Sequence, residues 1–284
     1  MIEEKNKTMP RTLYLVATPI GNLADMSERA LKVLSEVDFI AAEDTRNTQK
    51  LLSFFGIRKP LISYHEHNKA ECGPKIISRL EDGESCALVT DAGTPAISDP
   101  GADLVKLCAE CGVTVTSLPG ACASIVALTL SALPTERFCF EGFLPVQSKE
   151  RKKRLEVLSL ECRTMLLHEA PHKLRATLDD LRATLGDTRR ITLCRELTKL
   201  NEEVIRTTLA KAVELYKEKE PKGEYVLVIE GADEAALSSS PETDMSIEEQ
   251  VEYYMNNGMT KMEAIKATAK SRGIPKNDVY KLMV

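Results

Sequence analysis

A chain of 284 residues with 43% hydrophobic and 29% charged residues has the composition of a water-soluble globular protein with room for two domains. Its formal net charge of −5 argues against attachment to nucleic acid through overall charge, so any such partner must be met by segregated basic patches. No run of about 18 apolar residues occurs, and the polar start from Met1 to Arg11 lacks a signal-peptide core, which predicts a cytoplasmic protein without a membrane partner.

Strand-like runs at Leu13 to Ala17, Phe39 to Ala42, Leu61 to Tyr64, Ala87 to Thr90 and Val113 to Ser117 alternate with helical segments. This alternation is the signature of a parallel sheet in an α/β fold. Ser27 is placed to cap the first helix. A second series follows, with strands at Phe138 to Phe143, Thr164 to Leu167, Ile191 to Cys194, Val204 to Thr207 and Tyr225 to Ile229 and a helix from Pro171 to Leu185. The stretch from Ala232 to Ser246, with its triple serine and Pro241, reads as a linker. Beyond it, Ser246 to Asn256, Lys261 to Arg272 and Pro275 to Leu282 predict three short helices. The last two are arranged like a helix-turn-helix, with Gly273 at the turn. The expected organisation is an α/β domain over 1–120, a second over 121–231, a linker over 232–245 and a helical tail over 246–284.

Three loops sit where the first sheet would present its carboxyl edge. Thr18-Pro-Ile-Gly-Asn-Leu23 follows the first strand, and Leu88-Val-Thr-Asp-Ala-Gly-Thr-Pro-Ala-Ile-Ser-Asp-Pro-Gly101 packs two aspartates, two glycines and two prolines into one turn. Leu118-Pro-Gly-Ala-Cys-Ala-Ser124 leads into an apolar helix from Ile125 to Leu133. Glycine admits close approach of backbone to a ligand and proline stiffens the turn; the plainer alternative is that these residues only cap the next helix. If the strands are parallel, the loops converge where open α/β folds bind ligands. Neither a Gly-x-x-x-x-Gly-Lys-Ser/Thr nor a Gly-x-Gly-x-x-Gly phosphate cradle is present, which favours a ligand without phosphates.

Eight cysteines are scattered, and the one close pair, Cys108 and Cys111, has no partner pair, so reduced thiols are expected and no metal site. Two segments concentrate positive charge: Lys149-Glu-Arg-Lys-Lys-Arg154, and the stretch from Thr260 to Val284, where six Lys or Arg face only Glu263 and Asp278. Each is either a solvated helix face or a nucleic-acid contact. The tail is correspondingly a recognition element or a packing appendage. His65-Glu66-His67 offers imidazoles that titrate near neutrality, but alternation across a strand end keeps the two from sharing one ion.

The segments Leu15-Val-Ala-Thr-Pro-Ile-Gly-Asn-Leu23, Ala42-Glu-Asp-Thr-Arg46, His65-Glu-His-Asn68, Thr90-Asp-Ala-Gly-Thr-Pro-Ala-Ile-Ser-Asp-Pro-Gly101 and Gly142-Phe-Leu-Pro145 resemble, in order, the 2′-O-methyltransferases of small-subunit ribosomal RNA within the tetrapyrrole methylase superfamily. The likeness runs from about Thr12 to about Gly231. It implies the two-domain class III methyltransferase architecture and S-adenosylmethionine as cofactor. The implied reaction is methylation of a cytidine ribose in the decoding region of 16S ribosomal RNA in the small subunit, and the implied assembly is a homodimer. Carried onto this chain, the cofactor contacts are Pro19, Gly21, Asp91, Gly93, Thr94, Ile97, Ser98, Asp99, Ala121, Ala123 and Ser124, with Leu167, Arg195 and Gly223 from the second domain. Such a transfer needs alignment of donor and acceptor and a group to take the hydroxyl proton. Asp44 is a candidate base with Glu43 beside it, and Arg46 a phosphate clamp, unless Asp44 merely caps a helix and pairs with Arg46. His65 and His67 complete the catalytic candidates. The chain departs from its relatives at Ala132, His168, Ala170 and Asn201. A tetrapyrrole C-methyltransferase of the same fold and a non-enzymatic nucleic-acid adaptor are the competing readings.

Overall fold

The computed structural model describes residues 7–234, 245–256 and 258–283. Strands β1 (Thr12–Val16), β2 (Phe39–Ala42), β3 (Leu61–Ser63), β4 (Cys86–Val89) and β5 (Thr114–Leu118) form a sheet of order β3-β2-β4-β1-β5 with every pairing parallel. β1, β2 and β4 are buried along their whole length, because helices cover both faces of the sheet. Alternate residues part accordingly. Leu13 and Leu15 pack with Ile76 and Leu80 of α3 (Lys69–Glu81) and Leu104 of α4 (Gly101–Glu110). Tyr14 and Val16 pack with Val33 and Leu34 of α1 (Glu28–Glu36) and Leu52 of α2 (Thr45–Phe54). Ser27 caps α1, its Oγ accepting from the Ala30 N–H at 3.1 Å. Neighbouring strands β1 and β4 thus feed helices on opposite faces, and the loops after them flank the crevice where the strand order reverses.

The second sheet has the order β6-β7-β10-β8-β9, from β6 (Phe138–Gly142), β7 (Thr164–Glu169), β8 (Arg190–Arg195), β9 (Glu203–Thr208) and β10 (Tyr225–Ile229). Only β6 and β7 pair in parallel; β7, β10, β8 and β9 run alternately. β10 is central and apolar on both sides. Tyr225, Leu227 and Ile229 join the core under α6 (Ser148–Ser159), α7 (Leu174–Leu185) and α8 (Leu209–Glu218). Val226 and Val228 pack against Ala127 and Leu128 of α5 (Ala123–Leu130). That helix stops short of Leu133 because the Ser131 hydroxyl donates to the Leu128 carbonyl at 2.7 Å and accepts from the Leu133 N–H at 3.1 Å.

Contacts divide the described chain into two compact units. Both sheets belong to the first, 7–158 with 163–230; the second holds 159–162 and the described residues from 231 onward. The predicted linker over 232–245 falls mostly on 235–244, outside the described residues. Helices α9 (Ile247–Asn256), α10 (Lys261–Arg272) and α11 (Lys276–Leu282) pack around Val251, Ile265 and Val279. Thr260 and Glu263 form a reciprocal capping box at the start of α10, and Gly273, with φ +63°, ends it. Among the described residues no helix is long and apolar enough to cross a membrane, and the eight cysteines are free thiols.

Candidate active site

The loops after β1 and β4 are locked to each other. Thr18 and Gly93 exchange two backbone hydrogen bonds of 3.0 Å, and the Thr18 hydroxyl donates to the Thr90 carbonyl at 3.1 Å. Gly93 has φ +85°, a conformation that suits glycine, and stands close to Ile20 and the Ala121 carbonyl. The Thr94 hydroxyl donates to that carbonyl at 2.8 Å, which ties in the loop after β5. Asp99 folds its own loop: one carboxylate oxygen accepts from Ala96 N–H (3.0 Å) and Gly101 N–H (2.7 Å), the other from Ile97 N–H (2.9 Å). These bonds hold Ala96 and Ser98 at positive φ.

A cavity of about 530 Å³ lies beside the locked loops. Ile20, Gly93, Thr94 and Ile97 wall it on one side, Ala123 and Ser124 open α5 into it, and His168 to His172, Glu196, Leu197, Lys199 and Glu224 to Val226 close it. Its size and its apolar walls with a few converging polar groups are those of a site for one organic molecule. His168 accepts from or donates to the Ser124 hydroxyl at 2.9 Å and lies edge-on to Phe140 and Phe143, with centroids 5.2 and 5.6 Å away. Burial holds its imidazole below its ordinary pKa, against the pull of Glu224. The Lys199 ammonium is taken by Glu196 and Glu224, each at 2.9 Å. That lysine is therefore engaged, and the surplus of carboxylates disfavours an anionic ligand.

The structure sorts the expected cofactor residues into groups. Gly93, Thr94, Ile97, Ala123 and Ser124 line the larger cavity. Pro19, Gly21 and Asp91 instead line a separate cavity of about 190 Å³, together with Leu23, Asn47, Thr48 and Leu51. Ala121 contributes its carbonyl to Thr94, Ser98 stands against Gly142, and Asp99 serves its own turn. The three residues expected from the second domain line neither cavity. Leu167 belongs to the opposite core, because side chains alternate along β7 and it is His168 that faces α5. Arg195 pairs with Glu203 at 3.1 Å, and Gly223 is pressed against Glu196, where a Cβ would stand 2.5 Å from its side chain. Gly21 meets the β8–β9 turn equally closely: a Cβ there would stand 2.4 Å from Lys199 Cγ. His168, Glu196, Lys199 and Glu224 were not among the expected contacts. The strand alternation that turns the Leu167 side chain into the opposite core is the signal that points to His168.

At the end of β2 the two acids diverge. Glu43 is half-buried, and its pKa is raised, first by burial and then by the Asp91 carboxylate. Asp44 caps α2, accepting from the Arg46 N–H at 2.8 Å, and binds the same guanidinium through both oxygens, at 3.1 and 2.7 Å. Arg46 holds the Asp44 carboxyl down at about 2. The Arg46 side chain is otherwise 85% exposed, with one face free for a phosphate. His65 acts on Glu43 electrostatically and has a buried Nδ1 without a partner among the described residues, while His67 is exposed. Both lie beyond the end of β3 in a turn, with rings 6.0 Å apart, so the strand alternation expected to separate them does not operate. Among the described residues no three His, Cys, Asp or Glu side chains are placed to hold a metal ion.

The family pattern of tetrapyrrole (corrin/porphyrin) methylases matches residues 12–213. The chain is 48% identical to the ribosomal RNA small subunit methyltransferase I of Halalkalibacterium halodurans, over 95% of this chain and 94% of that one. It is 47% identical to the protein of the same name from Synechocystis sp., over 95% and 96%. Among solved structures it is similar to the uroporphyrin-III C-methyltransferase of Thermus thermophilus complexed with S-adenyl homocysteine, with a TM-score of 0.55 and 16% identity over 77% of this chain and 97% of that one.

Proposed function

The chain belongs to the ribosomal RNA small subunit methyltransferase I family of the tetrapyrrole methylases, and from that membership we propose that it methylates the ribose 2′-hydroxyl of a cytidine in the decoding region of 16S ribosomal RNA, using S-adenosylmethionine. The observation that carries this reading is a cavity suited to a cofactor without phosphates, walled by interlocked loops, together with a half-buried carboxylate at the end of β2 that feels Asp91 of one of those loops.

The residues of the larger cavity fit that cofactor. Ile20, Ile97, Leu197 and Val226 offer apolar surface to an adenosyl group, and Glu196 and Glu224 tolerate a sulfonium cation where they would repel a phosphate. When bound, the cofactor supplies a methyl group already activated by its positive sulfur. Methyl transfer to the ribose oxygen would release the hydroxyl proton, and the Glu43 carboxylate would take it. Glu43 suits this role better than Asp44, because burial makes it the more basic of the two while Asp44 is occupied with Arg46. Arg46 offers its free face to a phosphate of the RNA, and the tight loops fix the line of approach.

Positive charge for the RNA comes from two places. Arg151 and Arg154 of α6 are spent internally, on Asp180 and Glu141, which leaves Lys149, Lys152 and Lys153 without an ion pair among the described residues. In the tail, Lys266, Lys270 and Lys276 are likewise unpaired among the described residues. The protein acts in the cytoplasm as a homodimer. Phe138, Phe140 and Phe143 are exposed on or just after the edge strand β6, an apolar patch that a second copy covers.

The test is transfer of labelled methyl from S-adenosylmethionine to purified small subunits lacking the modification, with uroporphyrinogen offered in parallel. Label in the RNA as 2′-O-methylcytidine supports the reading; label in the tetrapyrrole alone overturns it.

A further inference from the structure

The smaller cavity is separate from the larger one and its chemistry differs. Its apolar walls are Pro19, Leu23 and Leu51, and its volume of about 190 Å³ is below the range of cofactor-sized sites. It is about a third the size of the larger cavity, a space suited to a single ring more than to a whole cofactor. The Thr18 and Thr90 hydroxyls on its wall already donate to backbone carbonyls of the loop after β4. Thr48 is buried, and Asn47 and Asp91 present the exposed polar side chains of the lining.

These two side chains stand together, the Asn47 amide donating to Asp91 Oδ2 at 3.4 Å. A carboxylate only accepts, so the amide must turn its NH₂ end toward it. The pair therefore shows an acceptor on Asp91 beside a second N–H donor on Asn47. Cytosine carries the complementary edge, an exocyclic amine beside a ring acceptor, whereas uracil reverses both and would set O4 against the carboxylate. A phosphate is disfavoured because the wall bears a carboxylate and no cation.

We propose that this cavity between the first loop and α2 is a pyrimidine subsite in which Asp91 and Asn47 select cytosine over uracil in a nucleotide turned out of its stack. The inference rests on the RNA reading above and specifies which residues set its base preference. Enzymes that turn a nucleotide out of its stack read the base along its pairing edge, and a base held here would fix the position of its ribose. Asn47 directly follows Arg46, so one turn of α2 offers a base contact and a phosphate contact side by side. Asp91 is also the carboxylate that raises the Glu43 pKa, which brings the base subsite and the proton acceptor to adjoining positions.

The test uses small subunits carrying either cytidine or uridine at the modified position, with labelled S-adenosylmethionine and nucleoside analysis. Wild-type protein is expected to prefer cytidine by roughly tenfold or more. Asp91→Asn should bring the ratio toward one, since a carboxamide can donate to O4. Leu23→Trp, at the exposed rim of the cavity, should abolish transfer to either RNA while calorimetry finds unchanged affinity for S-adenosylmethionine. An unaltered ratio in Asp91→Asn, or wild-type transfer by Leu23→Trp, overturns the subsite and leaves the RNA reading standing. No label in either RNA with the wild-type protein overturns both.

Discussion

Glu43 and Asp44 are adjacent in sequence and opposite in environment, and that difference governs their chemistry. Glu43 sits half-buried near Asp91, so its ionised form is disfavoured; Asp44 has its charge satisfied by Arg46 and by the first turn of α2. Glu43→Gln is expected to lower kcat by about 10²- to 10⁴-fold with little change in cofactor affinity. A raised pKa in the folded state means that the contribution of Glu43 to stability is intact below the ordinary carboxylate pKa and is lost as pH rises through the raised value. The variant should therefore melt no lower than wild type at neutral pH. For the same reason kcat/KM of the wild type should climb from the acid side with a midpoint above the ordinary glutamate value of about 4.3. Asp44→Asn retains a good helix cap and loses only the Arg46 pairing, so its kcat should fall by less than about tenfold; a larger loss there, with Glu43→Gln fully active, would exchange the two roles. Sequence alone brought both acids and Arg46 to one strand end and put Asp44 forward as the base; the structural preference for Glu43 depends in part on Asp91, which is 48 positions from Glu43 in the chain.

Among the elements, the strands were the most legible, since apolar runs such as Phe39–Ala42 and Tyr225–Ile229 are buried on both faces and leave no room for another assignment. Pairing direction in the second sheet was not legible, because alternation fixes which face a side chain takes and carries no information on the neighbour's direction. The basic run on α6 was only partly what it looked like. Arg151 donates to Asp180 at 2.6 Å and to the Thr177 hydroxyl at 2.8 Å, and Thr177 in turn donates to the buried Glu169 at the end of β7. Glu169 also accepts from the Ala170 N–H at 2.8 Å, so this chain of bonds anchors the strand end that carries His168 into the cavity. Thr177→Val keeps the shape and strands a buried carboxylate, and unfolding in urea should show a loss of about 1–3 kcal/mol. A stability within about 0.5 kcal/mol of wild type would mean that Glu169 is not held by this bond.

For the whole molecule, a net charge of −5 is compatible with an RNA substrate only because the free lysines are segregated on α6 and in the tail helices. The three tail helices were legible almost to the residue, helped by Gly273 at the turn between the last two, whereas their role was not, since a packed core and a recognition surface use the same amphipathic pattern. Removing residues 241–284 should leave S-adenosylmethionine affinity unchanged and weaken binding to small subunits by about tenfold, with a shallower dependence on salt, because phosphate contacts are lost. Unchanged affinity for the subunit would make the tail a packing appendage. The central claim, that this chain methylates a ribose of small-subunit RNA with Glu43 as proton acceptor, is tested most directly in cells lacking the protein, by nucleoside analysis of 16S ribosomal RNA after complementation. The account predicts that 2′-O-methylcytidine is absent without the protein, restored by the wild type and not restored by Glu43→Gln expressed at the same level. Persistence of the nucleoside without the protein, or full restoration by Glu43→Gln, would contradict it.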